Sequence, residues 1–349
     1  MARDPGGRVV FVPFTAPGDR VRVRVLEEDR RYAQAELLEV LVPSPARQIP
    51  PCPVFGRCGG CQWQHIPYEL QWQTKSKGVL HALERLRIRI PSTPDLLPAE
   101  RIWNYRNRIQ LRGEGAEIGF FAARSHDRVA IQECNVARPE INEVLPSVRE
   151  EGRTLPRTYK VEVEVLADGS IRKSWNARHA AGGFRQVHDE QNEKLREWVS
   201  ANISPGGRVL DLFGGDGNLG APVSKKSEVV DCVDLSAPES MSLADFPALK
   251  FHRSPVLKWL LRWREKAKYR SAILDPPRDG LGEDFSETAA ALEKMGVQEI
   301  IAVGCEPDSW ARDLSRWVKR GWQVERLGVL DLFPQTPHVE SLAVLRSGR

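Results

Sequence analysis

No run of apolar residues in the chain approaches the roughly 18 that a membrane-crossing helix needs. Met1, Ala2, Arg3, Asp4 and Pro5 form no apolar leader either. Membrane and secreted classes are thereby excluded as leading readings, and a cytoplasmic protein with no membrane partner is expected. An excess of one charge is also lacking: 51 Lys and Arg face 47 Asp and Glu, and a net +4 does not by itself demand a nucleic-acid partner. The composition is not that of a disordered chain or a repeat fibre. Six cysteines without a leader do not make a secreted disulfide scaffold, so thiols in a reducing compartment are expected. Two phosphate signatures are missing as well, the glycine spacing of a dinucleotide site and a Lys-Ser/Thr pair behind a glycine-rich turn.

What is present is globular composition, 41% hydrophobic and 28% charged, over 349 residues, roughly two domains by length. The positive excess sits wholly within residues 1–150, which hold 22 Lys and Arg against 18 Asp and Glu. It is arginine-rich, with Arg20, Arg22, Arg24, Arg30 and Arg31 in one stretch and Arg101, Arg106, Arg108 and Arg112 in another. Guanidinium groups fork onto phosphates, so both stretches are candidate RNA contacts, with solvated strand faces as the alternative. From Arg8 to Leu41 basic and apolar residues alternate with turn residues between, which predicts a small antiparallel barrel or sheet. Ile49-Pro50-Pro51-Cys52-Pro53 then links to a cysteine cluster, Tyr68 to Arg89 has a helical pattern, and Tyr105–Cys134 and Tyr159–Arg172 read as strands. Beyond Asp189 the pattern changes. Apolar strands at 208–213, 228–235, 271–274 and 299–303 alternate with helical segments at 189–199, 255–267, 286–295 and 308–320, which predicts a doubly wound parallel sheet.

The chemistry concentrates at the strand ends. Val209 to Phe213 runs into Gly214, Gly215, Gly217 and Gly220, a turn that lets a ligand approach backbone at the carboxyl edge of the sheet. Asp211 and Asp234 beside it suit a cofactor with a cationic amino-acid end and a ribose, S-adenosylmethionine, and Asp234 would accept from the ribose hydroxyls. Asp275-Pro276-Pro277-Arg278 ends the third strand and Gly304-Cys305-Glu306-Pro307 the fourth. A cysteine on that rim is a candidate nucleophile, because a thiolate can add to an electron-poor carbon such as C6 of a pyrimidine. Cys52, Cys58 and Cys61 fall within ten residues, and Cys134 can close a four-thiolate site suited to zinc or to an iron–sulfur cluster; the spacing does not decide between them. Cys232, inside an apolar strand, reads as a core residue.

Taken in order, Cys52-x5-Cys58-Gly-Gly-Cys61-Gln62, Tyr105-Arg106-Asn107-Arg108, Ile118-Gly119-Phe120, Ser125-His126, Cys134, Phe184-x-Gln186-Val187, Asp211-Leu-Phe-Gly-Gly-Asp-Gly-Asn218, Asp275-Pro-Pro-Arg278, Cys305-x-Pro307 and the closing run from Leu330-Asp331 through Phe333-Pro334-x-Thr336-x-His338 to Glu340-Ser341 resemble the class I RNA uracil-C5 methyltransferases that carry a [4Fe–4S] cluster. The N-terminal strands, with Val12-Pro13 and Pro17-Gly18, look like that family's TRAM RNA-binding domain. The resemblance implies an α/β fold: a Rossmann-like S-adenosylmethionine-dependent methyltransferase domain at 186–349, preceded by a small TRAM/OB-like β-barrel at 1–48 and a central α+β iron–sulfur domain at 49–185. It implies that Cys305 attacks C6 of a uracil and Glu340 removes the C5 proton. Gln186, Phe213, Asn218, Asp234 and Asp275 would bind cofactor or base, and Cys52, Cys58, Cys61 and Cys134 would hold a structural cluster. The implied partner is RNA, 23S ribosomal RNA ahead of transfer RNA, and a monomer is expected. Competing expectations are cytosine methylation at C5 and a non-catalytic RNA-binding protein with a decayed cofactor site.

Some positions depart from the family pattern. His188 stands where Asn is usual, and Gly304-Cys305-Glu306 replaces Ser-Cys-Asn. The stretch from Asp234 to Asp275 is short, with Leu235-Ser236-Ala237-Pro238 interrupting the expected helix and Ser254 near the position of an acidic residue for the adenine amine. Weaker cofactor binding or an altered adenine pocket is therefore expected. Only seven residues precede Arg8, so the barrel is expected to lack its first strand.

Overall fold

The alternation in the N-terminal segment folds into strands β1 (Ala2–Arg3), β2 (Val9–Phe11), β3 (Arg20–Glu28) and β4 (Tyr32–Val42), hydrogen-bonded in the order β1-β2-β4-β3; the expected antiparallel arrangement is corrected at β2, which pairs parallel to β4. The first strand, expected to be missing, exists as a two-residue stub paired antiparallel to β2. Val10, Val12, Ala33 and Ala35 make the small core of this sheet. Arg20, Arg22 and Arg24 share the exposed face, as period 2 requires. Two of them are engaged by glutamates of β4: Arg22 pairs with Glu39 at 2.7 Å and Arg24 with Glu36. The second arginine stretch is not one solvated face, because Arg108 is buried and Arg106 lines an interior pocket.

The computed structural model describes residues 2–4, 6–90, 93–155, 157–177, 185–235, 245–263 and 268–348. It comprises two compact units. One holds Met1–Gln73, Arg101–Ala177 and Pro334–Pro337, and the other Thr74–Glu100, Arg178–Phe333 and His338–Arg349. After β4 come α1 (Tyr68–Arg85) and β5 (Asp95–Leu97). In the first unit, β6 (Arg108–Glu114), β7 (Glu117–Phe121), β8 (Arg128–Ala130), β9 (Tyr159–Val165) and β10 (Ile171–Trp175) form an antiparallel sheet ordered β10-β9-β6-β7-β8. Its apolar face is covered by α2 (Pro139–Arg153), whose Ile141, Leu145 and Val148 meet Ile109, Leu111, Val161 and Val163. This helix was not foreseen, although Pro139 at its first turn and the i, i+4, i+7 apolar spacing are the usual marks.

The second unit contains α3 (Asp189–Asn202), β11 (Arg208–Leu212), α4 (Gly220–Ser224), β12 (Val229–Asp234), β13 (Leu249–Arg253), α5 (Val256–Arg262), β14 (Ser271–Leu274), α6 (Phe285–Met295), β15 (Glu299–Gly304), α7 (Pro307–Lys319), β16 (Trp322–Leu330) and β17 (Glu340–Ser347). The expected all-parallel sheet is corrected to a mixed one of eight strands, β13-β12-β11-β14-β15-β17-β16-β5. The reason is local: β17 returns from β16 as a hairpin and inserts antiparallel between β15 and β16, and β5 extends the edge parallel to β16. Strand order reverses between β11 and β14, which leaves a crevice at their carboxyl ends. Among the described residues no helix is long and apolar enough to cross a membrane.

Candidate active site

The residues that follow β11, β12, β14 and β15 wall a cavity of about 760 Å³, within the usual range for ligand sites. Gln186, Phe213, Asn218, Asp234, Asp275, Cys305 and Glu340 all line it. The turn after β11 is shaped for close approach. Phe213 sits at φ 62°, costly for a side-chain-bearing residue, and its N–H donates to the Val233 carbonyl at 3.0 Å. Gly214 cannot be replaced without displacement, since a Cβ there would lie 2.5 Å from Cys232 Sγ and 2.7 Å from the Asp211 carboxyl. The Gly215 N–H donates to Asp234 Oδ2 at 3.1 Å, which fixes that carboxylate at the end of β12. The Asn218 amide exchanges two hydrogen bonds with Asn192 of α3, at 3.0 and 2.8 Å. His188 caps the same helix, its Nδ1 accepting from the Gln191 N–H at 3.5 Å, so the departure from Asn keeps a capping acceptor.

The electrostatics are those of an acidic pocket with buried carboxyls. Burial raises the Asp275 and Glu340 carboxyls well above the ordinary range, and the charge of Asp275 adds to the rise at Glu340 while Arg278 opposes it. Burial first, then the charges of Glu340 and Asp275, push the Cys305 thiol up to about 11, with Arg278 again opposing. Asp211 is lifted to about 7 by burial and by Asp275. Glu340, the first residue of β17, is 4% exposed and its Oε2 has no hydrogen-bond partner. Buried carboxyls in such number favour a cationic ligand, and they set a base beside a thiol. Arg278, Phe333 and His338 also line the cavity, with the Phe333 and His338 rings edge-on at 6.0 Å. Sequence reasoning saw their motifs but gave them no role, because spacing alone does not say which side chains face a cavity.

Cys52, Cys58, Cys61 and Cys134 line a separate void of about 80 Å³ in the first unit, with Arg106, Phe55 and Phe120. All are free thiols. Cys58 forms an isolated bridge to Ala122, and Asn142 of α2 grips Cys134 from both sides, accepting its N–H at 2.9 Å and donating to its carbonyl at 3.1 Å. Burial pushes Cys61 up to about 12 and raises Cys58 and Cys134, each further raised by neighbouring cysteines. Among the described residues no three His, Cys, Asp or Glu side chains close on a point that could hold a metal ion. Cys232 is fully buried in the core of the second unit.

Pro255, Val256 and Leu257 form one wall of the large cavity, and the Ser254 N–H donates to the Asp234 carbonyl at 2.8 Å rather than offering an acid to the pocket. Phe184 and the Ser236-Ala237-Pro238 interruption lie outside the described residues.

A TRAM domain model matches residues 1–38, and a tRNA (Uracil-5-)-methyltransferase model matches residues 263–347. An uncharacterized RNA methyltransferase of Bdellovibrio bacteriovorus is 32% identical over 361 residues, 97% of this chain and 90% of the relative. A 23S rRNA (uracil(1939)-C(5))-methyltransferase of Pseudomonas syringae is 28% identical, covering 97% of this chain and 89% of the relative. Among solved structures, the Pyrococcus abyssi tRNA (uracil-54, C5)-methyltransferase in complex with S-adenosyl-L-homocysteine matches with a TM-score of 0.73 at 21% identity, over 97% of this chain and 95% of that one.

Proposed function

The chain belongs to the RNA uracil-C5 methyltransferases, and from that premise we propose that it methylates C5 of one uridine in 23S ribosomal RNA, using S-adenosylmethionine and a covalent bond between Cys305 and C6 of the base. The observation that carries this reading is the shared cavity wall on which Cys305, Asp275 and Glu340 meet Gln186, Phe213, Asn218 and Asp234. The cavity's fit to the cofactor rests on Gly214 and Gly215 in its wall, on Asp234 held at its edge by the Gly215 N–H, and on the buried carboxyls of Asp275 and Glu340.

S-adenosylmethionine supplies an electrophilic methyl group on a positively charged sulfur. Asp234 would receive its ribose hydroxyls, while Phe213, Asn218 and Gln186 shape the remaining contact. Burial first, then two carboxyls, keep Cys305 protonated, so its proton must pass to a neighbouring base before Sγ can attack. The target base must leave its stack to enter the cavity, which costs least in a loop. Cys305 Sγ, its proton passed to Asp275, then bonds to C6 as the C5–C6 π pair shifts toward O4, which leaves Glu340 free for the later step. C5, now nucleophilic, would take the methyl group as its bond to the sulfonium sulfur breaks, leaving neutral S-adenosylhomocysteine. Glu340 removes the remaining C5 proton, the C5–C6 double bond re-forms and the Sγ–C6 bond breaks, restoring the thiolate. The burial that raises the Glu340 carboxyl makes its ionised form a stronger base than an exposed glutamate.

Cys52, Cys58, Cys61 and Cys134 are the proposed ligands of a [4Fe–4S] cluster, a reading supported by four thiol donors around one void of about 80 Å³. Bound there, the cluster would tie the cysteine loop to the segment that precedes α2; methyl transfer needs no electron from it. The proposed domains are the TRAM-like module at 1–48, the cluster domain at 49–185 and the methyltransferase domain at 186–349, working as a cytoplasmic monomer. The test is transfer of labelled methyl to protein-free 23S rRNA fragments and to transfer-RNA transcripts, with 5-methyluridine mapped. Methylation of one rRNA uridine is expected. Product on transfer RNA alone would overturn the choice of RNA, and product on neither would overturn methyl transfer itself.

A further inference from the structure

Resting on that reading, we infer that Lys75 of α1 is a positioning residue for the target base, acting through the turn Asp331–Phe333 that follows β16. Lys75 belongs to no motif in the sequence. Its side chain and that of Asp331 are both fully buried, and Lys75 Nζ lies 2.7 Å from Asp331 Oδ1. The ammonium also donates to the Phe333 carbonyl at 3.0 Å, and Asp331 Oδ1 accepts the Phe333 N–H at 3.0 Å. Both backbone polar groups of Phe333 are thus held by the two members of one buried ion pair. The ring of Phe333 lines the cavity beside His338, on the wall that continues to Glu340 and Cys305.

A buried ion pair is a weak source of stability compared with apolar packing of the same volume, and its better-attested use is to select one conformation. Here the conformation selected is that of an aromatic ring facing the space where a flipped base must lie. A planar base presents a π-face to whatever bounds that space, so the placement of Phe333 sets whether C6 arrives opposite Cys305.

The test uses full-length protein with RNA carrying 5-fluorouridine at the target site, where the absent C5 proton traps the Cys305 adduct. Three variants are compared: Phe333→Ala, the pair replacement Lys75→Met/Asp331→Leu, which leaves no orphaned charge, and the three substitutions combined. Cofactor binding, followed by calorimetry, should be unchanged in all. Single-turnover adduct formation should slow by roughly 10- to 100-fold in the pair replacement, with half-saturation moved to higher RNA concentration. The combined variant should be no slower than Phe333→Ala. Adduct formation at the wild-type rate in a pair replacement that melts at lower temperature would show a purely structural pair and overturn the inference, as would additive losses in the combined variant. Failure of the wild-type protein to form any adduct would instead overturn the methyltransferase chemistry beneath it.

Discussion

Replacing Asp211 by Asn should stabilise the cofactor-free protein at alkaline pH and do much less at acid pH. Asp211 is fully buried at the end of β11, neither carboxylate oxygen has a hydrogen-bond partner of normal geometry, and burial with the charge of Asp275 lifts it from 3.8 to about 7. The folded carboxyl therefore keeps its proton between about pH 4 and pH 7, where the unfolded chain has released it. Stability from this group is lost as pH rises through that window, the opposite of a salt-bridged aspartate. At 1.36 kcal/mol per pH unit, the penalty at pH 8 is on the order of 4 kcal/mol, of which about 3 kcal/mol accumulates above pH 5. Asn has the same shape and no charge, so the tight fit against Gly214 and Gly220 is kept. Urea unfolding of both proteins at pH 5 and pH 8 reads the effect, because titrating groups remote from Asp211 cancel in the difference between variant and wild type. The gap in favour of Asp211→Asn should widen by about 3 kcal/mol from pH 5 to pH 8. A gap that stays constant, or a variant less stable at pH 8 than at pH 5 relative to wild type, would refute the reasoning.

Other outcomes follow from the same geometry. Glu340→Gln should form the protein–RNA adduct and accept the methyl group but resolve slowly, so a covalent species should persist on a denaturing gel; absence of both adduct and product would give Glu340 another role. Protein purified without oxygen should be brown, with about four irons and broad visible absorbance, and Cys134→Ser should lose the colour and destabilise the first unit. Colourless protein with one zinc would contradict the cluster. Reversing Arg20, Arg22 and Arg24 should weaken RNA binding and flatten its salt dependence, but since Arg22 and Arg24 already face Glu39 and Glu36, Arg20 alone should account for much of the change in slope.

Much of the second unit was legible in the sequence because buried parallel strands are short apolar runs, and their ends carry the chemistry. Ser271–Leu274, Glu299–Gly304 and the glycine turn after Leu212 follow from apolar runs and turn residues alone. The hairpin β16–β17 was not, since its residues are as apolar as a parallel strand and nothing local sets its direction. Strand β5 escaped for a different reason: three residues, Asp95–Leu97, pair with a strand more than 200 positions away. At the site, the seven residues singled out by motif converge on one cavity, but the ion pair Lys75–Asp331 left no trace because a lysine on a helix reads as solvated until its burial is known. The arginine face of β3 shows the converse, an alternation correctly placed on one side whose partners on β4 the sequence does not reveal.

The central claim, that Cys305 attacks C6 of a uridine in the cavity it shares with Asp275 and Glu340, is tested most directly by peptide mapping of the trapped complex. Full-length protein, S-adenosylmethionine and a 23S rRNA fragment bearing 5-fluorouridine would be combined, digested with protease and nuclease, and sequenced by tandem mass spectrometry. The account predicts one modified peptide, carrying a methylated fluorouridine nucleotide on Cys305, and its disappearance in Cys305→Ala while RNA binding persists. A nucleotide on another residue, or methylated product from Cys305→Ala at more than a few per cent of the wild-type rate, would contradict it.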